Sequence, residues 1–92
     1  MIICRTPLRM SFIGGGSDLR EYYRNKCGAV LSTTINKYIY VSVNKKFDNG
    51  IRLSYSKTEN KNDINKIEHP IVRNVLKFLK IEKGIEITSV SD

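Results

Sequence analysis

At 92 residues the chain is long enough for one domain and no more. Its 40% hydrophobic and 27% charged residues exclude a disordered chain and fit a soluble globular one. With 16 Lys+Arg against 9 Asp+Glu, the net charge of +7 admits nucleic acid, phosphorylated small molecules or an anionic membrane as partners. The basic residues are spread out, with no run longer than Lys45-Lys46, which fits first of all a lysine-rich surface with no binding role.

Met1 to Met10 alternates weakly. Pro7 cannot donate to a ladder, so it predicts an edge strand or a break between two short strands. Ser11 to Ile13 continues extended into Gly14, Gly15 and Gly16. Asp18 to Lys26 reads as a helix, because Leu19, Tyr22 and Tyr23 fall at i, i+3 and i+4. Asp18 with Glu21 forms a capping-box pattern, and Gly28 stops the helix. Ala29 to Leu31 predicts a short strand, and Ser32 to Thr34 a bend or a bulge. Ile35 to Phe47 is the strongest strand signal, with Ile39, Val41 and Val43 on one face and Tyr38, Tyr40, Ser42 and Asn44 on the other. Asn49-Gly50 is the type I′ hairpin dipeptide, and Ile51, Leu53 and Tyr55 alternate along the returning strand.

Ser56 to Glu68 is polar and reads as an exposed, flexible loop that Ile64 and Ile67 tack down. His69-Pro70 opens a second helix, with His69 as an entry residue rather than a base or metal ligand. Ile71, Val72, Val75, Leu76, Phe78 and Leu79 give that helix a broad apolar face. Gly84 closes the helical region, and Ile85 to Val90 predicts a last strand. The order β-β-α-β-β-β-α-β makes the fold class α+β. Two cysteines, Cys4 and Cys27, are too few for a disulfide framework and have no CxxC partner. They are expected as free thiols in a reducing, cytoplasmic setting, with Cys27 a small buried side chain. No apolar run approaches the ~20 residues of a membrane span, and the N-terminus meets Arg5 and Pro7 at once, so neither a membrane partner nor a signal peptide is expected.

The stretch from Arg5 to Leu19, R-T-P-L-R-M-S-F-I-G-G-G-S-D-L, draws the eye as a site. Three glycines leave the backbone bare, so polar or anionic groups can come close. Two readings of the triplet stay open, a tight turn and direct ligand contact. Asp18 likewise reads either as an N-cap, worth ~1 kcal/mol to its helix, or as a binding residue. Arg9 by itself reads as an exposed strand arginine.

Pro7 to Leu19 resembles the first motif of the GHMP kinases, which ends in G-G-G-[ST]-D. The resemblance continues through Gly28 to Val41, and resumes at His69 to Leu79 and Lys83 to Ile87. Within the family it is most similar to the D-glycero-D-manno-heptose 7-phosphate kinase and galactokinase-like sugar kinases. It implies that residues 1–92 are the first part of a GHMP N-terminal domain, a mixed sheet with helices on one face. The abrupt end at Ser91-Asp92 then looks like a cut, with a P-x-x-x-G-L-G-S-S loop expected beyond it. ATP and magnesium would find their main ligands there, so the segment alone is expected to be inactive, and no metal site is expected within it. The resemblance places Arg9 near the phosphoryl-transfer site as a catalytic cation. It makes Asp18 a partner of sugar hydroxyls, and lines the pocket with Gly14, Gly15, Gly16 and Ser17. Galactokinases keep Glu and His where this chain has Gly15 and Gly16, which disfavours galactose and leaves room for a bulkier sugar phosphate. The partners implied are that substrate and the remainder of the kinase chain. Two rivals stand behind this reading. One is a small basic nucleic-acid-binding domain, disfavoured because the chain has no basic-aromatic run or RNA-binding signature. The other is an inactive, self-associating remnant with exposed sheet or apolar surface.

Overall fold

The computed structural model describes residues Met1–Asp92. In order, it comprises β1 (Ile2–Ile13), a 3₁₀ turn (Gly15–Asp18), α1 (Arg20–Tyr23), β2 (Leu31–Lys45), β3 (Ile51–Ser54), β4 (Thr58–Lys61), a second 3₁₀ turn (Ile64–Lys66), α2 (Pro70–Phe78) and β5 (Ile85–Ser91). The class is α+β, as expected, but the count differs. The stretch to Ile13 is one edge strand that passes through Pro7 without a break. Residues 32 to 34 do not interrupt β2 either. The chain divides into two units, one of Met1–Arg5 with Tyr40–Ser91, the other of Thr6–Ile39 with Asp92.

The first unit holds the core. The sheet runs β1-β2-β5-β3-β4, with β3 parallel to β5 and antiparallel to β4. The strand period of two puts Ile51 and Leu53 on one face, and the parallel register sets them opposite Ile85 and Ile87. All four are buried, together with Ile64, Ile67 and Leu76, while Val41, Val43, Tyr55, Val72 and Ile81 pack around them. The second 3₁₀ turn and α2 therefore cover one face of a mixed sheet. Each buried Ile or Leu contributes roughly 1.5–3 kcal/mol relative to exposure.

No β2–β3 hairpin forms. β5 lies between those strands in the sheet, so Asn49-Gly50 does not adopt the type I′ turn that its composition predicts. Neither residue takes a positive φ. Instead Asp48 Oδ1 accepts from the Gly50 N–H at 2.8 Å and lies 3.3 Å from Lys46 Nζ. The Gly50 N–H, and secondarily Lys46, hold the Asp48 carboxyl below its usual range. The loop is tied to the entry of β5, where the Lys46 N–H donates to the Gly84 carbonyl (2.9 Å) and the Gly84 N–H to the Gly50 carbonyl (3.1 Å). The left-handed position belongs to Gly84, with φ +76°.

The polar stretch from Ser56 to Glu68 is not a flexible loop. It contains β4 and the second 3₁₀ turn, and Ile64 and Ile67 tack it down, as expected, by entering the core. Its anchor is Glu59, a buried carboxylate. Glu59 accepts from the Tyr55 hydroxyl (2.9 Å) and from the Glu68 N–H (2.8 Å). The Glu68 N–H is the main influence that lowers the Glu59 carboxyl below its ordinary value; burial opposes it, and Tyr55, the His69 N–H and Lys61 assist. The Tyr55 hydroxyl is pushed up by the same carboxylate, so it stays a donor. Because the Glu59 pKa is lower folded than unfolded, this stabilisation is present above the ordinary carboxylate range and is lost as pH falls through the folded value. Urea midpoints for the wild type should therefore fall on acidification below about pH 5, and Glu59→Gln should be less stable at pH 7 with a flatter acid limb. Parallel acid limbs for the two proteins would remove Glu59 from this role.

His69 enters α2 as expected. Its Nδ1 accepts from the Val72 N–H at 3.4 Å, which requires the neutral ring, and Pro70 occupies the first turn. The Tyr55 ring meets the His69 ring edge to face, with centroids 4.8 Å apart. The apolar face of α2 is covered only at Leu76 and partly at Val72; Ile71, Val75, Phe78 and Leu79 are exposed. The helix stops at Phe78, before Gly84, and Lys80 takes φ 59° just beyond it.

The second unit contains residues 6–13 of β1, the first 3₁₀ turn, α1 and residues 31–39 of β2. None of its residues is buried. Cys27, expected inside, is exposed, as is Cys4 in the first unit, and neither forms a disulfide. Asp92 closes on β2, its N–H donating to the Tyr38 carbonyl and its Oδ2 accepting from the Tyr38 N–H, each at 2.9 Å.

Candidate functional site

The glycine triplet sits where β1 gives way to helix, wholly within the second unit. Gly14 has φ +89° and ψ 5°, a left-handed conformation that reverses the chain after Ile13. A Cβ there would also collide with the Ala29 carbonyl oxygen. Both constraints demand glycine, so at Gly14 the tight-turn reading holds. Gly15 and Gly16 open the 3₁₀ turn. A Cβ on Gly15 would come 3.4 Å from Ser11 Oγ, while one on Gly16 would meet nothing within 4 Å. Gly16 is thus the position of the triplet whose backbone is open to an approaching group.

Ser17 closes the turn. Its N–H donates to the Gly14 carbonyl at 3.0 Å, and its hydroxyl reaches the carbonyls of Gly14 (2.7 Å) and Ala29 (3.0 Å). Gly28 lies against it: a Cβ there would fall 2.8 Å from Ser17 Oγ. The Ser17 hydroxyl is therefore spent on tying residues 28–29 to the turn.

Asp18 is not a helix cap. α1 is a single turn that starts at Arg20, its N-cap is Leu19, and no side chain caps it. The capping box with Glu21 does not form, because the chain extends at Leu19 (ψ 138°) between the 3₁₀ turn and α1. α1 also ends at Tyr23, short of the predicted Lys26. The Asp18 carboxylate instead accepts from Arg9, Nη2 to Oδ2 at 3.4 Å, with both side chains more than half exposed. Such a pair contributes roughly 0–1 kcal/mol to folding. Its interest is positional: a guanidinium from β1 and a carboxylate from the glycine turn converge on one solvent-facing spot.

Beside them lies an open depression of about 470 Å³, lined by Ser17, Asp18, Tyr23, Gly28, Ala29 and Val30. Five of the six expected residues, Gly14 to Asp18, form one continuous turn, and Arg9 is brought to it. Tyr23, Ala29 and Val30 were not singled out by sequence reasoning. Tyr23 reads there as part of an apolar helix face, and only the fold turns it towards the depression. No three His, Cys, Asp or Glu side chains cluster anywhere in the chain. No helix is long and apolar enough to cross a membrane.

No protein-family model matches the chain. Over 47 residues, 51% of its length, it is 40% identical to the D-glycero-alpha-D-manno-heptose 7-phosphate kinase of Campylobacter jejuni subsp. jejuni serotype O:2, and this covers 14% of that protein. Its fold matches the crystal structure of a D-glycero-D-manno-heptose 1-phosphate kinase from Bacteroides thetaiotaomicron with a TM-score of 0.70 at 22% identity, over 98% of this chain and 33% of that one. It also matches a Campylobacter jejuni protein provisionally assigned as a sugar kinase, with a TM-score of 0.58 at 27% identity, over 97% of this chain and 31% of that one. The chain thus spans a third or less of the length of these relatives.

Proposed function

We propose that the chain is the first part of the N-terminal domain of an ATP-dependent sugar or sugar-phosphate kinase of the GHMP type, a reading supported by its likeness to heptose-phosphate and sugar kinases. It contributes the sugar side of the active site, and a heptose phosphate is the favoured substrate. The observation that carries this reading is the convergence of Arg9 and Asp18, 3.4 Å apart, at the glycine turn.

The two charges suit the two halves of such a substrate. The ionised Asp18 is acceptor-only, so it takes hydrogen bonds from sugar hydroxyls. Arg9 offsets charge on a transferring phosphoryl group, which is what phosphoryl-transfer sites ask of a fixed cation. Each charge holds the other at the turn, and substrate would replace that contact on both sides. Gly15 and Gly16 bring no side chain that would crowd a bulky sugar, and Gly16 faces open space. ATP, when bound in the longer kinase, supplies the phosphoryl group; these residues orient the acceptor and balance charge.

Asp18→Asn, placed in the full kinase chain that carries this segment, tests the reading. We expect the KM for the sugar to rise about tenfold or more, as a charged hydrogen bond is lost, with the KM for ATP unchanged. An equal loss on both substrates would overturn the assignment of Asp18 to the sugar. Turnover of ATP on any sugar by the 92 residues alone would overturn the view that they are one part of the catalytic machinery.

A further inference from the structure

The first unit carries a second polar depression, of about 410 Å³, where the loop after β2, the end of β4 and the entry of β5 meet. Three lysines from these three segments line it: Lys46, Lys61 and Lys83. Asn49, Asn60 and Asn62 add amide groups, and Asp48 is the one carboxylate in the lining. None of the lining residues is aromatic.

The walls are pre-set rather than loose. Lys46 keeps only 20% of its side chain exposed, and its Nζ is held at 3.3 Å from Asp48 Oδ1. The backbone bonds between Lys46, Gly84 and Gly50 fix the two loops to each other. Gly50 packs at their centre: a Cβ there would sit 3.1 Å from Asp48 Oδ1, 3.2 Å from Lys46 Nζ and 3.7 Å from Asn62 Oδ1. The ladder partner of Ile51 is Lys61, which ties the third wall to the sheet. Asp48 is already satisfied by Lys46 and the Gly50 N–H, which leaves Lys61 and Lys83 without a carboxylate partner in this depression. Asp63 and Glu82 line the neighbouring depression, which shares Lys83.

The geometry points to an anion site here, formed by Lys46, Lys61 and Lys83 with the asparagine amides, for a small multiply charged phosphate such as a diphosphate or a bis-phosphorylated metabolite. Cations in a concave, partly desolvated setting favour a compact polyanion over monovalent ions. The one exposed ring nearby, Phe47, lies between Lys46 and Asp48 but is not in the lining, and a single ring outside the depression is no stacking platform for successive bases, so the small-molecule class is the better fit.

Inorganic pyrophosphate titrated into the ¹⁵N-labelled full chain tests the site. At about 50 mM salt, where surface charge is weakly screened, the amides of Gly50, Asn62 and Gly84 should shift saturably. The paired change Lys61→Gln with Lys83→Gln should weaken binding about tenfold or more. Lys57→Gln, which alters the lysine paired with Glu68 at 3.8 Å, should leave it unchanged. If the double variant loses its β3 and β5 amide pattern, the two single variants decide, each expected to weaken binding about threefold. Shifts that grow linearly without saturation, or an equal loss in Lys57→Gln, would overturn the site. Tighter binding of a single-stranded oligonucleotide at the same amides would overturn the small-anion class.

Discussion

Leu53→Ala should strongly lower the stability of the first unit and bring its urea midpoint far down. Leu53 is 1% exposed and lies at the centre of a core of only seven buried residues. It sits opposite Ile87 in the parallel β3–β5 pair, and its antiparallel ladder partner on β4 is Glu59. Truncating a buried leucine costs about 2–5 kcal/mol, the transfer term plus the cavity left behind. A domain of ordinary stability holds roughly 0.05–0.15 kcal/mol per residue. The loss is therefore a large share of what a unit of this size can hold. Circular dichroism with urea titration at neutral pH reads it directly. The contrast is Phe78→Ala, an exposed position on α2, which should shift the midpoint little. If Leu53→Ala unfolds with the wild-type midpoint, the stability of this unit does not rest on the β3–β5 face.

The second large effect belongs to Arg9 and is one of rate, not stability. If Arg9 offsets charge on the transferring phosphoryl group, Arg9→Met in the full kinase chain should lower kcat by about 10²–10³-fold, the usual loss for one preorganised electrostatic donor. Thermal stability should barely move, because the Arg9–Asp18 pair is more than half exposed on both sides and such pairs contribute roughly 0–1 kcal/mol. Rate and stability thus separate a catalytic cation from an ordinary surface arginine. A kcat within about threefold of wild type would return Arg9 to the surface role. Asp18→Asn and Arg9→Met touch one contact, so their effects should not add; the double variant is expected to fall short of the product of the single losses.

These expectations differ in how much of them a reader of the sequence alone reaches. The alternation of Ile51 with Leu53, and of Ile85 with Ile87, declares two strands with one apolar face each, because the strand period is a local property. His69-Pro70 declares the start of α2 for the same reason: the preferences of a helix entry act within a few residues. The glycine triplet with its serine and aspartate likewise announces a tight turn and a candidate site. Family resemblance gives Arg9 and Asp18 separate functional roles; their contact at 3.4 Å is seen only in the structure.

Pairing between distant segments was decided only in three dimensions. Asn49-Gly50 carries every local mark of a hairpin, yet β5 takes the place beside β2. No local signal reports that a strand more than thirty residues away along the chain will insert, since its hydrogen bonds and its apolar face find their partners only in the folded sheet. The stretch from Ser56 to Glu68 failed for a related reason. Its polar composition reads as solvent-exposed, but Glu59 is buried, with Tyr55 and the backbone of Glu68 satisfying its carboxylate, and only such partners make the burial of a charged group tolerable. At the glycine turn the local reading leaves Asp18 open between a cap and a binding residue. The extended Leu19 separates Asp18 from α1, and the carboxylate turns to the arginine on β1. Local periodicity thus marked the apolar faces of β3 and β5, the entry of α2 and the place of the turn, while long-range pairing decided the strand order, the existence of β4, the buried carboxylate and the partner of Asp18.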